Sequence, residues 1–158
     1  MEKKTATILD LGTIGRGKSK HRPRNDSKLY GGVYPFVQTG DVKAANLYLT
    51  EYSQTYNEIG LQQSKLWKKG TLCITIAANI AESAILGIDA CFPDSIVGFI
   101  PDYEKSDVRY IKYLMDELKL YMQQISKGTT QDNLTQLSLP MRRISPSIGI
   151  AGRGIGRL

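Results

Sequence analysis

One histidine and two cysteines in 158 residues leave little material for metal or nucleophilic chemistry. Cys73 and Cys91 both sit inside apolar bursts and read as buried thiols, while His21 lies in a different kind of segment, so no Cys/His ligand set forms. No Ser/His/Asp constellation is threaded through the chain, and no internal repeat is visible. No apolar run approaches the ~20 residues that a membrane span needs. The opening MEKKTATILDLG lacks the apolar region of a signal peptide, which makes the cytoplasm the expected compartment. Acids are absent from residues 141–158, MRRISPSIGIAGRGIGRL. That tail follows neither a helical nor a strand period and is expected to be largely disordered.

What is present is an ordinary globular composition, 41% apolar and 23% charged, in a chain long enough to bury a core as one domain. Its best-built stretch is 66–100, LWKKGTLCITIAANIAESAILGIDACFPDSIVGFI. Apolar bursts at 71–77, 84–88 and 95–100 are bounded by Gly, Asn, Pro and Asp, the pattern of buried strands. Residues 5–14 read as an opening strand, and 29–37 as a Gly-Gly turn followed by a strand. Residues 38–41, QTGD, read as a turn, 46–50 as a short strand and 52–63 as ambiguous. Residues 101–105 read as a linker turn. The clearest helix spans about 107–126, where Val108, Ile111, Met115, Leu118, Met122 and Ile125 recur at spacings of three and four. Ser106 suits its N-cap, Asp107 its positive end, and Lys127 with Gly128 its stop. The stripe suits packing on the sheet, with a partner helix as the other use. Residues 129–136 allow a helical turn and 137–140 a last edge strand. The expected class is α+β: a mixed or antiparallel sheet of short strands, one long amphipathic helix and a basic N-terminal loop. The domain is expected over 1–140, with 141–158 as a tail.

Charge is segregated. Residues 1–28 carry eight Lys/Arg against three acids, and 141–158 carry four Arg. The stretch between them carries nine bases against twelve acids. Cationic ends on a near-neutral body point to a polyanion, of which nucleic acid is the usual case.

Residues 12–19, GTIGRGKS, match the phosphate-binding loop G-x-x-x-x-G-K-[ST] letter for letter. In such a loop backbone N–H groups wrap the phosphates, the Lys reaches the outer ones, and a helix beginning at the Lys faces them. Here KHRPRND follows, and Pro23 disfavours that helix. Asp89 is the candidate acid for the metal-bound water. The competing use of the glycines is a strand that bends out into a mobile loop.

The same loop also reads as a nucleic-acid contact. Lys18, Lys20, His21, Arg22 and Arg24 are interleaved with Ser19 and Asn25. Lys and Arg neutralise phosphates. Arg also forks onto guanine O6 and N7, and Asn or Gln onto adenine. Further candidates sit in expected turns: Gln38, Thr39, Lys43, Gln62, Gln63, Lys68 and Lys69.

At these residues the chain resembles a target recognition domain of the specificity subunit of Type I DNA restriction–modification systems. The matching elements run in order through LGTIGRGKSKHRPRND, LYGGVYPFVQTGDV and GLQQSKLWKKGTLCITIAANIAESAILGIDACFPDSIVGF, then a Tyr/Leu-rich helix and GTTQDNLTQLSLP, covering roughly residues 8–140. The resemblance implies a non-catalytic α+β domain that docks on double-stranded DNA and reads one half of a split target. Members usually carry two such domains joined by long helices. They hold an adenine-N6 methyltransferase subunit, which uses S-adenosylmethionine, and recruit a restriction subunit, which uses ATP and Mg. No cofactor is then expected in this chain. The absence of an N/D-P-P-aromatic motif, which holds a flipped adenine in such methyltransferases, agrees. The resemblance also gives residues 12–19 a role without a nucleotide. Two departures stand out. Only one recognition domain is present, and after SLP the family continues into a spacer helix where this chain runs into its Gly/Arg tail. That end reads as truncated, frameshifted or excised. It implies either a half-subunit that pairs with itself or another half, or a single domain with weak DNA binding.

Overall fold

The computed structural model describes residues 4–76, 81–125 and 131–141. In chain order the elements are β1 (Lys4–Ala6), α1 (Ile8–Leu11), β2 (Gly12–Arg16), a single 3-10 turn (Ser27–Leu29), β3 (Tyr30–Phe36), α2 (Thr39–Ala44), β4 (Tyr48–Leu49), β5 (Gln54–Tyr56) and α3 (Glu58–Gln62). There follow β6 (Leu66–Trp67), β7 (Leu72–Thr75), β8 (Ser83–Leu86), β9 (Ala90–Cys91), β10 (Ile96–Pro101), α4 (Val108–Ile125), α5 (Gln131–Gln136) and β11 (Leu139–Met141). The α+β class and the short strands are as expected. The tail beyond 141 and the helix stop at Lys127 and Gly128 lie outside the described residues.

Five strands form a sheet in the order β2-β10-β7-β8-β4, four form a second in the order β5-β3-β9-β6, and β1 pairs with β11. Pairing is antiparallel except for β4 with β8 and β3 with β9. Every residue of β7 and of β8 is buried, which explains why these strands read as continuous apolar runs instead of alternating ones. Alternate side chains serve different cores. Leu72 and Ile74 join Ile85, Val97 and Phe99 under α1, α4 and α5, meeting Ile8, Leu11, Ile111, Met115 and Leu134. Cys73 faces the other way, with Ala84, Leu86 and Ile96, onto Val37, Val42, Trp67 and Phe92. Phe36, Tyr56 and Cys91 of the second sheet make a third cluster with Leu29 of the 3-10 turn. Burial raises both thiols, Cys91 to about 11, and both remain free.

The helical stripe, followed as far as Leu118, is spent on the first core, so that face has no room for a partner helix. Several local expectations change. Residues 5–14 are not one strand. The Thr7 N–H and hydroxyl both donate to the Asp10 carboxylate, at 2.9 and 3.0 Å, closing a one-turn helix that buries Ile8 and Leu11. The Gly-Gly pair lies inside β3, where Gly31 at φ +91° absorbs a bulge that sets both Tyr30 and Tyr34 opposite Tyr56. Residues 38–41 open a helix because the Gln38 N–H donates to the Asp41 carboxylate at 2.9 Å. At α4 it is Asp107, not Ser106, that accepts from the Arg109 N–H, while the Ser106 hydroxyl donates to Leu11 O at 2.9 Å and ties the helix start to α1.

Two glycines test this packing in opposite directions. A Cβ at Gly98 on β10 would stand 2.7 Å from the Trp67 ring and 2.9 Å from Phe92, whereas one at Gly40 on α2 meets nothing within 4 Å. Gly98→Ala is expected to cost about 1–3 kcal/mol by overpacking, and Gly40→Ala to stabilise by roughly 0.5–1 kcal/mol through helix propensity. Urea midpoints of the two variants check both signs.

Candidate nucleic-acid interface

The basic segment between β2 and β3 is anchored by its backbone and open at its side chains. The Gly17 N–H donates to Ile96 O and the Lys18 N–H to Phe92 O, both at 2.9 Å. The Ser64 hydroxyl donates to Lys18 O at 2.6 Å, the Lys20 N–H to Gln63 O at 3.2 Å and the His21 N–H to the Gln63 amide oxygen at 3.0 Å. Arg22 folds its guanidinium back onto Ser19 O at 2.8 Å and His21 O at 3.0 Å, which leaves the rest of its five donors outward. The loop is thus a ledge bonded to the body through the N–H groups of Gly17, Lys18, Lys20 and His21, where its glycines suggest a strand bending out into a mobile loop. Gly17 is required by close approach, since a Cβ there would meet Pro93 O at 2.2 Å.

Acids neutralise only part of this ledge. His21 Nε2 meets Asp26 at 2.8 Å and Arg24 meets Asp94 at 3.0 Å, both partly exposed. Lys18, Lys20 and Arg22 have no ion pair among the described residues. Asp26 is held below the ordinary aspartate range, first by the Lys28 N–H and then by His21.

Beside the ledge lies a cleft of about 270 Å³. It brings together five of the residues singled out from the sequence: Ser19, Arg24 and Asn25 from the loop, and Gln38 and Thr39 from the start of α2. Ser19 is only 5% exposed, with its oxygen 3.5 Å from the Tyr56 hydroxyl, so it floors the site more than it reaches out. Tyr30 and Phe36 supply an aromatic wall, and Phe36 stacks on Tyr56 with ring centres 4.1 Å apart. Gln54 and Ser95 also line the cleft and were not among the sequence candidates. The signal for Gln54 was its place in a polar stretch of unreadable structure, and only the pairing of β5 with β3 brings it to the rim. Gln63, weighed as a contact residue, serves as a clamp for the loop. Gln62 is exposed on α3.

Three further candidates belong neither to the ledge nor to the lining of the cleft. Lys43 is exposed in the last turn of α2. Lys68 and Lys69 lie just past β6, at the opposite end of β9 from Pro93. There the Lys69 N–H donates to Asp89 at 2.8 Å and the Lys68 ammonium approaches the same carboxylate at 3.4 Å.

That arrangement removes the nucleotide reading of residues 12–19. Gly12–Arg16 is a strand paired along its length with β10, from Gly12 opposite Pro101 to Arg16 opposite Val97. The N–H groups of Gly17 and Lys18 are already bonded to Ile96 and Phe92, and no helix begins at Lys18. Donors that would wrap a phosphate are spent inside the fold, and the Asp89 carboxylate is taken by Lys69 and Lys68.

Among known proteins, a profile of the Type I restriction modification DNA specificity domain matches residues 1–144. Solved structures share the fold. The HsdS subunit from Thermoanaerobacter tengcongensis superposes with a TM-score of 0.70 at 16% identity, over 98% of this chain and 37% of that one. The Type-I restriction-modification system S subunit from M. genitalium does so with a TM-score of 0.65 at 11% identity, over 99% of this chain and 39% of that one. A chain from a structure described by the complex assembly and conformational transition of the type I R-M system gives 0.65 at 16% identity, over 98% and 38%. The present chain therefore spans under two fifths of the length of each.

Two outcomes are expected from this geometry. ATP with Mg leaves the melting temperature unchanged for both the natural chain and Lys18→Ala; a rise abolished by Lys18→Ala would reinstate the nucleotide reading. Because the Asp26 carboxyl is depressed in the fold, its contribution to stability is present above the ordinary aspartate value of about 3.9 and is lost as pH falls through the lower folded value. Asp26→Asn should therefore melt lower than the natural chain near neutrality, with the gap closing in strong acid.

Proposed function

The chain belongs to the family of Type I restriction modification DNA specificity domains, and from that premise we propose that the ledge of residues 18–24 and its cleft form the surface that meets DNA. The chain is a DNA-specificity module and not an enzyme. Its work is differential binding: to be held by one short sequence more tightly than by the rest of the duplex. Phosphate contacts set affinity and position, and base contacts set the choice. The single observation that carries the assignment is the division within the loop. The N–H groups of Gly17, Lys18, Lys20 and His21 are consumed by Ile96, Phe92 and Gln63, while Lys18, Lys20 and Arg22 are left without acid partners among the described residues, beside a polar cleft.

Lys18, Lys20 and Arg22 would sit on phosphates. Arg24, Asn25, Gln38 and Thr39 would face base edges, with Ser19 behind them and His21 bracing the loop through Asp26. Lys43, Lys68 and Lys69, outside the lining of the cleft, would contact the flanking backbone. The partners that follow are double-stranded DNA, a methyltransferase subunit and a restriction subunit. S-adenosylmethionine and ATP with Mg would belong to those subunits, and none to this chain. A second recognition unit, another copy or a different half-subunit, would supply the other half of a split target. No helix of the described residues is long and apolar enough to cross a membrane. Action on DNA together with those subunits would place the chain in the cytoplasm.

The test is binding to a duplex over a salt series by fluorescence anisotropy, with the methyltransferase subunit added where the chain alone binds weakly. Replacing Lys18, Lys20 and Arg22 by Ala together is expected to weaken binding and flatten the log–log salt slope by about 2 to 3, near 0.9 for each phosphate no longer neutralised. An unchanged slope would move the interface elsewhere.

A further inference from the structure

Resting on that reading, we infer that Gln38 and Gln54 act as one specificity-determining unit that reads the major-groove edge of a purine, with adenine as the best match.

The two amides come from separate elements. Gln38 follows β3 and is held at its backbone, where its N–H donates to the Asp41 carboxylate at 2.9 Å. Gln54 opens β5 in register with Phe36. Across the rim of the cleft the Gln38 amide nitrogen donates to the Gln54 amide oxygen at 2.9 Å. A lone surface glutamine must order three torsions to bind, and here the mutual bond meets part of that cost beforehand.

Hydrogen-bond capacity then narrows the target. A glutamine amide has two N–H donors and one accepting oxygen. With one donor of Gln38 and the oxygen of Gln54 engaged, and the Gln38 side chain facing the Asp41 N–H while its oxygen keeps a second lone pair, the pair presents an acceptor and a donor on Gln38 and two further donors on Gln54. A donor beside an acceptor on one amide is the pattern that forks onto adenine N6 and N7. The donors of Gln54 suit an accepting neighbour, such as purine N7 or thymine O4. Neither amide carries charge, so neither neutralises a phosphate. That task falls to the unpaired cations of the ledge. Arg24 shares the cleft but is already engaged with Asp94 at 3.0 Å, which makes the neutral pair the readier base contact.

The experiment is selection from a randomised duplex pool with the full chain, in the presence of the methyltransferase subunit, followed by affinities for the selected site and its single-base variants. The natural chain is expected to select a motif with a purine at one position that Gln38→Ala and Gln54→Ala each blur, losing roughly 5- to 100-fold of discrimination there. Preferences elsewhere and the salt slope should stay as they were. Gln38→Glu, which keeps the shape but loses the donors, should move that position towards cytosine, whose N4 donates. Motifs unchanged in all three variants would overturn the inference while leaving the DNA-specificity reading intact. Failure of the natural chain to select any motif would overturn both. Equal melting temperatures certify that the variants are folded.

Discussion

Strand β7 is buried on both faces, and a sheet buried on both faces must be covered twice. One cover is helical: α1, α4 and α5 lay Ile8, Leu11, Ile111, Met115 and Leu134 over Leu72 and Ile74. The other is the second sheet with α2, which presents Val37, Val42, Trp67 and Phe92 to Cys73 and Leu86. Each such side chain is worth about 1.5–3 kcal/mol when fully removed from water, and the alternation along one strand distributes that gain between both layers. The joint between the sheets is aromatic. Trp67 stacks on Phe92 with centres 4.9 Å apart, and Gly15 and Gly98 on the first sheet leave room for its ring.

The position of the basic ledge is a consequence of that joint. Phe92, whose ring fills the joint, also offers its carbonyl to the Lys18 N–H, and the neighbouring Pro93 closes over Gly17. The chain therefore leaves β2 on a fixed course, with its peptide groups satisfied inward and its cations outward. A phosphate-binding loop needs the reverse, free N–H groups converging on an empty centre. One string of residues is compatible with both arrangements, and pairing of β2 with β10 selects between them.

Legibility follows the range of the forces involved. Strands in 71–77, 84–88 and 95–100 and the helix near 107–126 were readable because burial on two faces, or on one stripe, writes itself into local apolar periodicity. Residues 52–63 were not readable. They hold β5 and α3, whose stability comes from Tyr56 stacking on Phe36 and from Asn57 accepting the Gly60 N–H while donating to Lys28 O. The expected single strand over 5–14 is broken for a similar reason, since Asp10 reaching back to Thr7 turns Ile8–Leu11 into a helix between β1 and β2. In the cleft, the loop cations were visible as a charge cluster. Gln54 was not, because a neutral residue acquires meaning only from what is placed opposite it.

By itself the sequence determined the class of fold, the existence of a basic segment and the likeness to DNA specificity domains, because apolar period, net charge and local motif are properties of neighbouring residues. Tertiary structure alone decided which of those basic residues stand unpaired, that Ser19 and Gln63 serve as floor and clamp, and that Gln38 meets Gln54. Those outcomes depend on strands far apart in the chain coming into register, and hydrogen bonds a few ångströms long are settled only after that register is set.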